Sequence, residues 1–110
     1  MEIVQALDEK ILEKIIHDAS EMSWEALQHN DSDRVDVWYE DENIGLDISC
    51  DISGRMRTSG DGYNEPEVVE MIDVRVSPRI VYSEPKLSGN CGRNLLQRIK
   101  SEVEEYLTTI

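Results

Sequence analysis

Apolar side chains recur every three or four residues in the first third of the chain, which is the spacing of one helix face. The stripe comprises Ile11, Leu12, Ile15, Ile16, Ala19, Met22, Ala26 and Leu27. Asp8 is of the residue type that accepts hydrogen bonds from the first free N–H groups of a helix. The pattern therefore predicts an amphipathic helix that begins after Asp8 and ends near Gln28.

Two segments that alternate between apolar and polar residues follow this helix. The first contains Val35, Val37 and Tyr39, and the second contains Ile44, Leu46, Ile48, Cys50 and Ile52. A two-residue turn at Glu42-Asn43 sets Val37 opposite Ile48 and brings every apolar side chain to one face. The pattern predicts a β-hairpin, with Trp38 opposite Asp47 on the polar face.

The second half of the chain predicts a loop, further strands and a helix. Glycine and proline mark Ser59 to Glu67 as the loop. Val68 to Val76 reads as a strand with Ile72, Val74 and Val76 inward, and Val69 and Met71 on the opposite face. Ser77-Pro78 interrupts the pattern, so Ile80 to Tyr82 is either a short fourth strand or a bulged continuation. The closing helix, capped by Ser88 or Asn90, has the stripe Leu95 or Leu96, Ile99, Val103, Tyr106 and Ile110.

These elements predict an α+β fold in the order α-β-β-β-α. Each helix has one apolar stripe and the sheet has one apolar face, so both helices are expected on that face. The architecture is a two-layer sandwich with an antiparallel sheet of three to four strands. The 110 residues have neither an internal repeat nor a linker, which indicates a single domain of residues 1–110.

The charge distribution limits the partners that we expect. The formal net charge is -13, and residues 1–53 carry 15 acidic and 3 basic side chains against 9 and 8 in residues 54–110. Nucleic acids and anionic membranes both attract clusters of lysine and arginine, so neither is expected to bind. The element order is shared with double-stranded RNA-binding domains, but the start of the last helix offers only Arg93 and Arg98.

Localisation and chemistry are predicted from what the chain contains. MEIVQALDEK has no basic segment before an apolar stretch and no run reaches membrane-spanning length, so we expect a cytoplasmic protein. Cys50 and Cys91 are expected to be reduced. At a helix N-terminus the dipole would lower the pKa of Cys91, yet no histidine spacing pairs with either thiol. We therefore predict a protein that is not an enzyme and holds no cofactor.

The polar sheet face concentrates the candidate binding residues. Four carboxylates on neighbouring strands, Asp36, Glu40, Asp47 and Asp51, could hold a divalent cation. Arginines of the next strand, among Arg55, Arg57, Arg75 and Arg79, could instead neutralise them, and we favour this interpretation, with no metal. Exposed tryptophan is enriched at binding hot spots. The predicted interaction surface consists of Asp36, Trp38, Glu40, Asp47, Asp51, Val69 and Met71. Its expected partner is another protein, for which a basic character is compatible, or a second copy of the chain.

The stretch ISGRMRTSGDGYNEPEVVEMIDVRV, from Ile52 to Val76, resembles small bacteriophage and mobile-element proteins of unknown function. The resemblance covers about a quarter of the chain and implies an accessory protein, without any site residue. The leading hypothesis is a non-enzymatic protein-interaction role. The alternative is an inhibitor that imitates nucleic acid with its carboxylates and occupies a basic groove.

Overall fold

A computed structural model describes residues 3–60, 63 and 68–109 of the chain. Its elements are β1 (Ile3–Val4), α1 (Glu9–Leu27), β2 (Ser32–Glu40), β3 (Gly45–Ser59), β4 (Val68–Glu84), β5 (Lys86–Leu87) and α2 (Gly89–Thr109). The order β2-β3-β4 forms an antiparallel sheet, and β1 pairs with β5 in parallel. The α+β fold with helices before and after the main strands is confirmed. Most of the predicted loop from Ser59 to Glu67, and Ile110, lie outside the described residues.

The predicted hairpin between β2 and β3 is confirmed residue by residue. Val37 pairs with Ile48, Tyr39 with Leu46, and Trp38 with Asp47. Asp41 Oδ1 accepts hydrogen bonds from the backbone N–H groups of Asn43 and Ile44, which holds the tight turn. Both strands alternate without an interruption, so their apolar residues all meet the helices on one face.

The strand β4 is one continuous strand with two bulges, which is the second of the two alternatives that the sequence pattern left open. It pairs with β3 over the whole length of β3, and its register shifts between Asp47 and Ile48 and between Ser53 and Arg55. At the second shift Asp73 has a φ of 56° and two β4 residues lie opposite one β3 residue. Ile80 to Tyr82 is thus the bulged continuation of β4.

The bulge at Asp73 overturns the predicted side-chain directions in the first half of β4. Met71 belongs to the core with 3% of its surface exposed, and its Sδ lies 3.3 Å from the position of a Cβ built on Gly54. Val69 lies two residues away on the same side of the strand and is 43% exposed. The prediction that Val69 and Met71 share the face of Trp38 was wrong, because an extra residue reverses the alternation.

The core lies between the helices and the apolar sheet face. The main helix contributions are Ile15, Ile16, Ala19 and Leu27 from α1 and Leu95, Ile99, Val103 and Leu107 from α2. Met22 and Tyr106, which the apolar stripes placed inside, are exposed, and Ser23 and Leu107 are buried instead. The α1 stripe is rotated relative to the prediction because its inner face includes serines. Among the described residues, the buried Ser23 hydroxyl has no hydrogen-bond partner.

Polar side chains fasten the helices at their ends and to the sheet edge. Asp8 caps α1 by accepting from Lys10 N–H at 2.8 Å, and Ser88 Oγ accepts from Cys91 N–H at 3.1 Å. On the outer edge of β4, Val76 N–H donates to Glu104, and Val76 C=O accepts from Lys100. The α2 side chains therefore occupy backbone groups that another strand would otherwise pair with.

The ion pairs of the fold predict how stability depends on pH. The hydrogen bond from Arg98 to Glu9 and the hydrogen bond from Arg34 to Asp51 lower the pKa of these carboxyl groups. For Glu104, burial acts to raise the pKa, but hydrogen bonds from Lys100 and Val76 N–H outweigh it, so the pKa is lowered. Stabilisation by a carboxyl group with a lowered pKa is present above its unfolded pKa, about 4, and is lost as pH falls through its folded pKa.

We therefore expect the melting temperature not to fall between pH 7 and about 5.5, and to fall below about pH 4. Added salt at pH 7 is expected to raise the melting temperature, because 24 acidic side chains repel each other against 11 basic ones. Thermal denaturation followed by circular dichroism measures both effects, one in a pH series and the other at low and high salt. A clear loss of stability both with salt and on going to pH 5.5 would show that paired charges dominate over repulsion.

Candidate functional site

Two large aromatic side chains meet on the open face of the sheet. Trp38 from β2 and Tyr82 from β4 are 53% and 45% exposed, and their ring centroids are 6.1 Å apart at an interplanar angle of 23°. Both residues pair with Asp47 of the central strand, so the two rings lean together across β3. Stacked rings of this kind stabilise each other by about 0.5–1.5 kcal/mol beyond area burial. The pair is an ordered apolar feature on a face that otherwise carries charges.

The aromatic pair borders a depression of about 710 Å³ at the end of the sheet. Its walls also come from the β2–β3 turn and from the end of β4, and Gly45 lies beside both rings. Its charged lining residues are Glu40, Asp41, Glu42, Glu84 and Lys86. Four carboxylates against one lysine give the depression a negative character, so the aromatic surface has an acidic border.

Hydrogen bonds order part of this acidic border. Tyr82 OH donates to the Glu84 carboxylate, and this bond, with burial and the charges of Glu84 and Glu40, raises the pKa of Tyr82. Tyr39 OH donates to Asp41 Oδ2 at 2.7 Å. That bond and the N–H groups of the turn lower the pKa of Asp41. Asp41 is thus committed to the turn, and Glu84 to orienting Tyr82.

The other end of the open face is neutralised by arginines. Asp51 lies 2.9 Å from Arg34 Nε and 3.1 Å from Arg79 Nη1, so one carboxylate bridges the two outer strands. The interpretation that cross-strand arginines balance the face is confirmed here for Arg79. Arg55 and Arg57 pair instead with Asp73 and Glu70. Of the predicted carboxylates, Asp36, Glu40 and Asp47 form no ion pair within the described part of the chain.

The predicted surface separates into two groups in the structure. Trp38 and Glu40 line the depression, and Asp47 lies between the two rings in the register. Asp36 and Asp51 lie further along the same face. Met71 pairs with Met56, nine residues along β3 from Asp47, which is about 30 Å at the rise of an antiparallel strand. Val69 and Met71 are therefore too distant to join Trp38.

Tyr82 is the site residue that the sequence pattern did not single out. Its place opposite Asp47 requires both that β4 runs through Pro78 and that β4 has its two bulges. Pro78 lies opposite Cys50 on an edge strand, where a missing N–H costs no ladder hydrogen bond if it points outward. The aromatic neighbour of Trp38 thus comes from a segment whose pairing looked interrupted.

The cysteines occupy the core side of the molecule. Burial raises the pKa of Cys50 to about 11, with the charges of Asp36 and Asp51 acting in the same direction. Burial also raises the pKa of Cys91, despite a hydrogen bond from Leu7 N–H, so the expected lowering at the helix N-terminus was wrong. Thiols with raised pKa values are weak nucleophiles at neutral pH. Neither cysteine lies in the aromatic depression.

The described part of the chain offers neither a metal cluster nor a membrane-spanning helix. Within residues 3–60, 63 and 68–109, no three His, Cys, Asp or Glu side chains are arranged to hold a metal ion. In the same ranges, neither helix combines the length and the apolar character that crossing a membrane requires. Comparisons with protein-family models, curated proteins and solved structures found no match to the chain.

Proposed function

We propose that the protein is a non-enzymatic cytoplasmic interaction module that binds another protein through the end of its open sheet face. The observation that carries this proposal is the exposed stack of Trp38 on Tyr82 within a concave acidic border. Tryptophan and tyrosine in a partly desolvated setting, surrounded by polar groups, are the usual anatomy of a binding hot spot. The resemblance to accessory proteins of bacteriophages and mobile elements stays a prediction, and it fits such a role.

The alternative, an inhibitor that imitates nucleic acid, needs carboxylates spaced regularly along one face. Asp51 stands at the far end of the expected row, and two arginines neutralise it. The row of free carboxylates is therefore shortened to Glu40, Asp47 and Asp36, at and next to the level of the aromatic pair. This arrangement supports a local recognition site better than an extended imitation of a phosphate backbone.

The proposal predicts that removing one ring abolishes partner capture. Immobilised wild-type protein and its Tyr82→Ala variant are to be incubated with a host lysate, and the bound proteins quantified by mass spectrometry. We expect at least one protein to be bound by the wild type and lost with Tyr82→Ala. The physical reason is that the variant deletes half of the exposed aromatic stack while leaving the apolar core intact.

The matched control is Tyr106→Ala, which deletes a tyrosine of similar exposure, 36% against 45%, from the helix layer. Capture is expected to survive this change. A protein that is still captured by both the Tyr82→Ala and the Tyr106→Ala variant would contradict the proposed surface. Repeating the capture at high salt separates the alternatives, since binding by an imitator of nucleic acid would weaken steeply along with the screening of its charges.

A further inference from the structure

Two neighbouring rows of residues build the depression on the open face. One row, across the three strands, is Glu40, Gly45 and Glu84, and the next is Trp38, Asp47 and Tyr82. Glycine places no side chain between the two glutamates, which leaves a gap in the first row. A Cβ built on Gly45 would lie 3.8 Å from the Trp38 ring and 3.9 Å from the Tyr82 ring. The gap is therefore walled by aromatic surface and flanked on both sides by carboxylates.

The carboxylates at this gap retain unused hydrogen-bonding capacity. The side chains of Glu40 and Glu42 make neither a hydrogen bond nor an ion pair with any residue that the structure describes. Glu84 accepts one hydrogen bond, from Tyr82 OH, although a carboxylate has about four acceptor positions. The site thus offers flat aromatic rings together with carboxylate oxygens on two sides, and an additional positive charge would offset part of its negative charge.

We propose that this gap binds the guanidinium group of an arginine in a basic segment of a partner protein. The inference rests on the proposed function and identifies its ligand chemistry. A guanidinium is planar, stacks on aromatic rings and directs five N–H donors in its plane towards carboxylates. A lysine ammonium has the charge but neither the plane nor the fork of donors, so it fits the site less well.

Charge complementarity favours a different protein over the other possible occupants. A second copy of the chain carries the same net charge of -13 and is repelled. Five of the seven arginines of the chain, at 34, 55, 57, 79 and 98, are held in ion pairs, and Arg93 donates a hydrogen bond to Asn90. Nucleic acids and anionic membranes would add further negative charge to an acidic site. A basic protein segment provides the opposite charge.

The test uses three peptides that differ in one side chain: acetyl-Gly-Gly-Xaa-Gly-Gly-amide with arginine, lysine or citrulline at Xaa. Citrulline keeps the planar shape of arginine and lacks its charge. Titrations of the isotope-labelled full-length protein follow the Gly45 amide and the Trp38 indole signals by NMR, with Trp24 as the internal reference. We expect saturable shifts with the arginine peptide, weaker binding of the lysine peptide, and binding of citrulline that is at least about tenfold weaker.

Two kinds of variant separate the site from general electrostatics. Glu40→Gln with Glu84→Gln is expected to weaken arginine binding at least about tenfold. Glu13→Gln with Glu21→Gln removes the same charge from α1 and is expected to leave binding unchanged. Gly45→Ala fills the gap at ordinary contact distances, so it is expected to keep the fold and still weaken binding.

Three results would overturn the inference. The arginine and citrulline peptides could bind equally, or the two double variants could lose the same amount of arginine affinity. The third result is chemical-shift changes that spread over all acidic residues without saturation. A wild-type protein that self-associates through Tyr82 and ignores the peptides would overturn it as well. The proposed function is judged separately: a partner that is lost with Tyr82→Ala but bound unchanged by the Glu40/Glu84 variant sustains the function and overturns the guanidinium site.

Discussion

Met71→Ala is expected to lower the free energy of unfolding by about 3 kcal/mol, because it removes a buried side chain and leaves a cavity. Met71 packs against the backbone at Gly54 and is nearly inaccessible to solvent. Urea denaturation followed by circular dichroism measures the change in the free energy of unfolding, with the m-value of the wild type used for both proteins. The effect tests the reversal of side-chain directions in β4, since the alternation pattern had placed this methionine on the open face.

Val69→Ala is the matched control for this prediction. Val69 lies two residues from Met71 on the same strand and face, but it is 43% exposed, so its truncation should cost less than about 1 kcal/mol. Equal small losses for both variants would show that Met71 is not a core residue and that the bulge at Asp73 is misplaced. A large loss for Met71 alone confirms the corrected register.

The contrast between the two hairpins shows which structural information a residue pattern carries. Between β2 and β3, every inward position is apolar and the turn has two residues, so a single register satisfies both strands. Between β3 and β4, the bulge depends on a positive φ at Asp73. Aspartate tolerates this conformation but also occurs widely elsewhere, and the glycine at this level, Gly54, lies on β3 and not at the bulged position itself. If inward and outward positions are counted along β4 without the bulge at Asp73, the residues before Asp73 are therefore assigned to the wrong face.

Pro78 made the second half of β4 difficult to predict, because a proline in a strand pattern reads as an interruption. Val76 N–H bonds to Glu104 and not to β3, so the nitrogen of the residue two positions further along points to the same outer edge. A proline there removes no bond of the ladder, and the strand continues to Tyr82. Which edge a strand presents is a property of the assembled sheet. The aromatic partner of Trp38 could consequently be recognised only with the three-strand register in place.

The buried face of helix α1 is a third feature that the residue pattern did not predict correctly. The number of helices and the N-cap at Asp8 followed from periodicity and residue type, whereas the rotation of α1 did not. Its buried face includes Ser20 and Ser23, which an apolar count assigns to the outside, and Met22 is exposed in their place. Small side chains allow close packing of a helix on a sheet, and this packing outweighs the apolar character of one longer residue. The two-residue strands β1 and β5 are too short for any periodicity.

Trp38→Ala is expected to reduce affinity for the captured partner by at least about 2 kcal/mol, or about thirtyfold, because exposed tryptophans at the centre of an interface carry much of its binding energy. Its effect on folding should be smaller. More than half of the surface of the residue is already exposed, and the lost stack on Tyr82 accounts for about 1 kcal/mol. Binding is measured by calorimetry and stability by urea denaturation on the same preparations.

Trp38→Phe is the graded control, since a smaller ring retains part of the stack and part of the contact area. Its affinity is expected to lie between those of the wild type and Trp38→Ala, with stability close to that of the wild type. The opposite result would be a loss of stability like that of a core truncation, with the affinity for the partner unchanged. It would show that the ring of Trp38 only shields the sheet. The hydroxyl of Tyr82 would then be oriented by Glu84 merely to complete a packed edge, and the acidic border would have no apolar centre to recognise a partner.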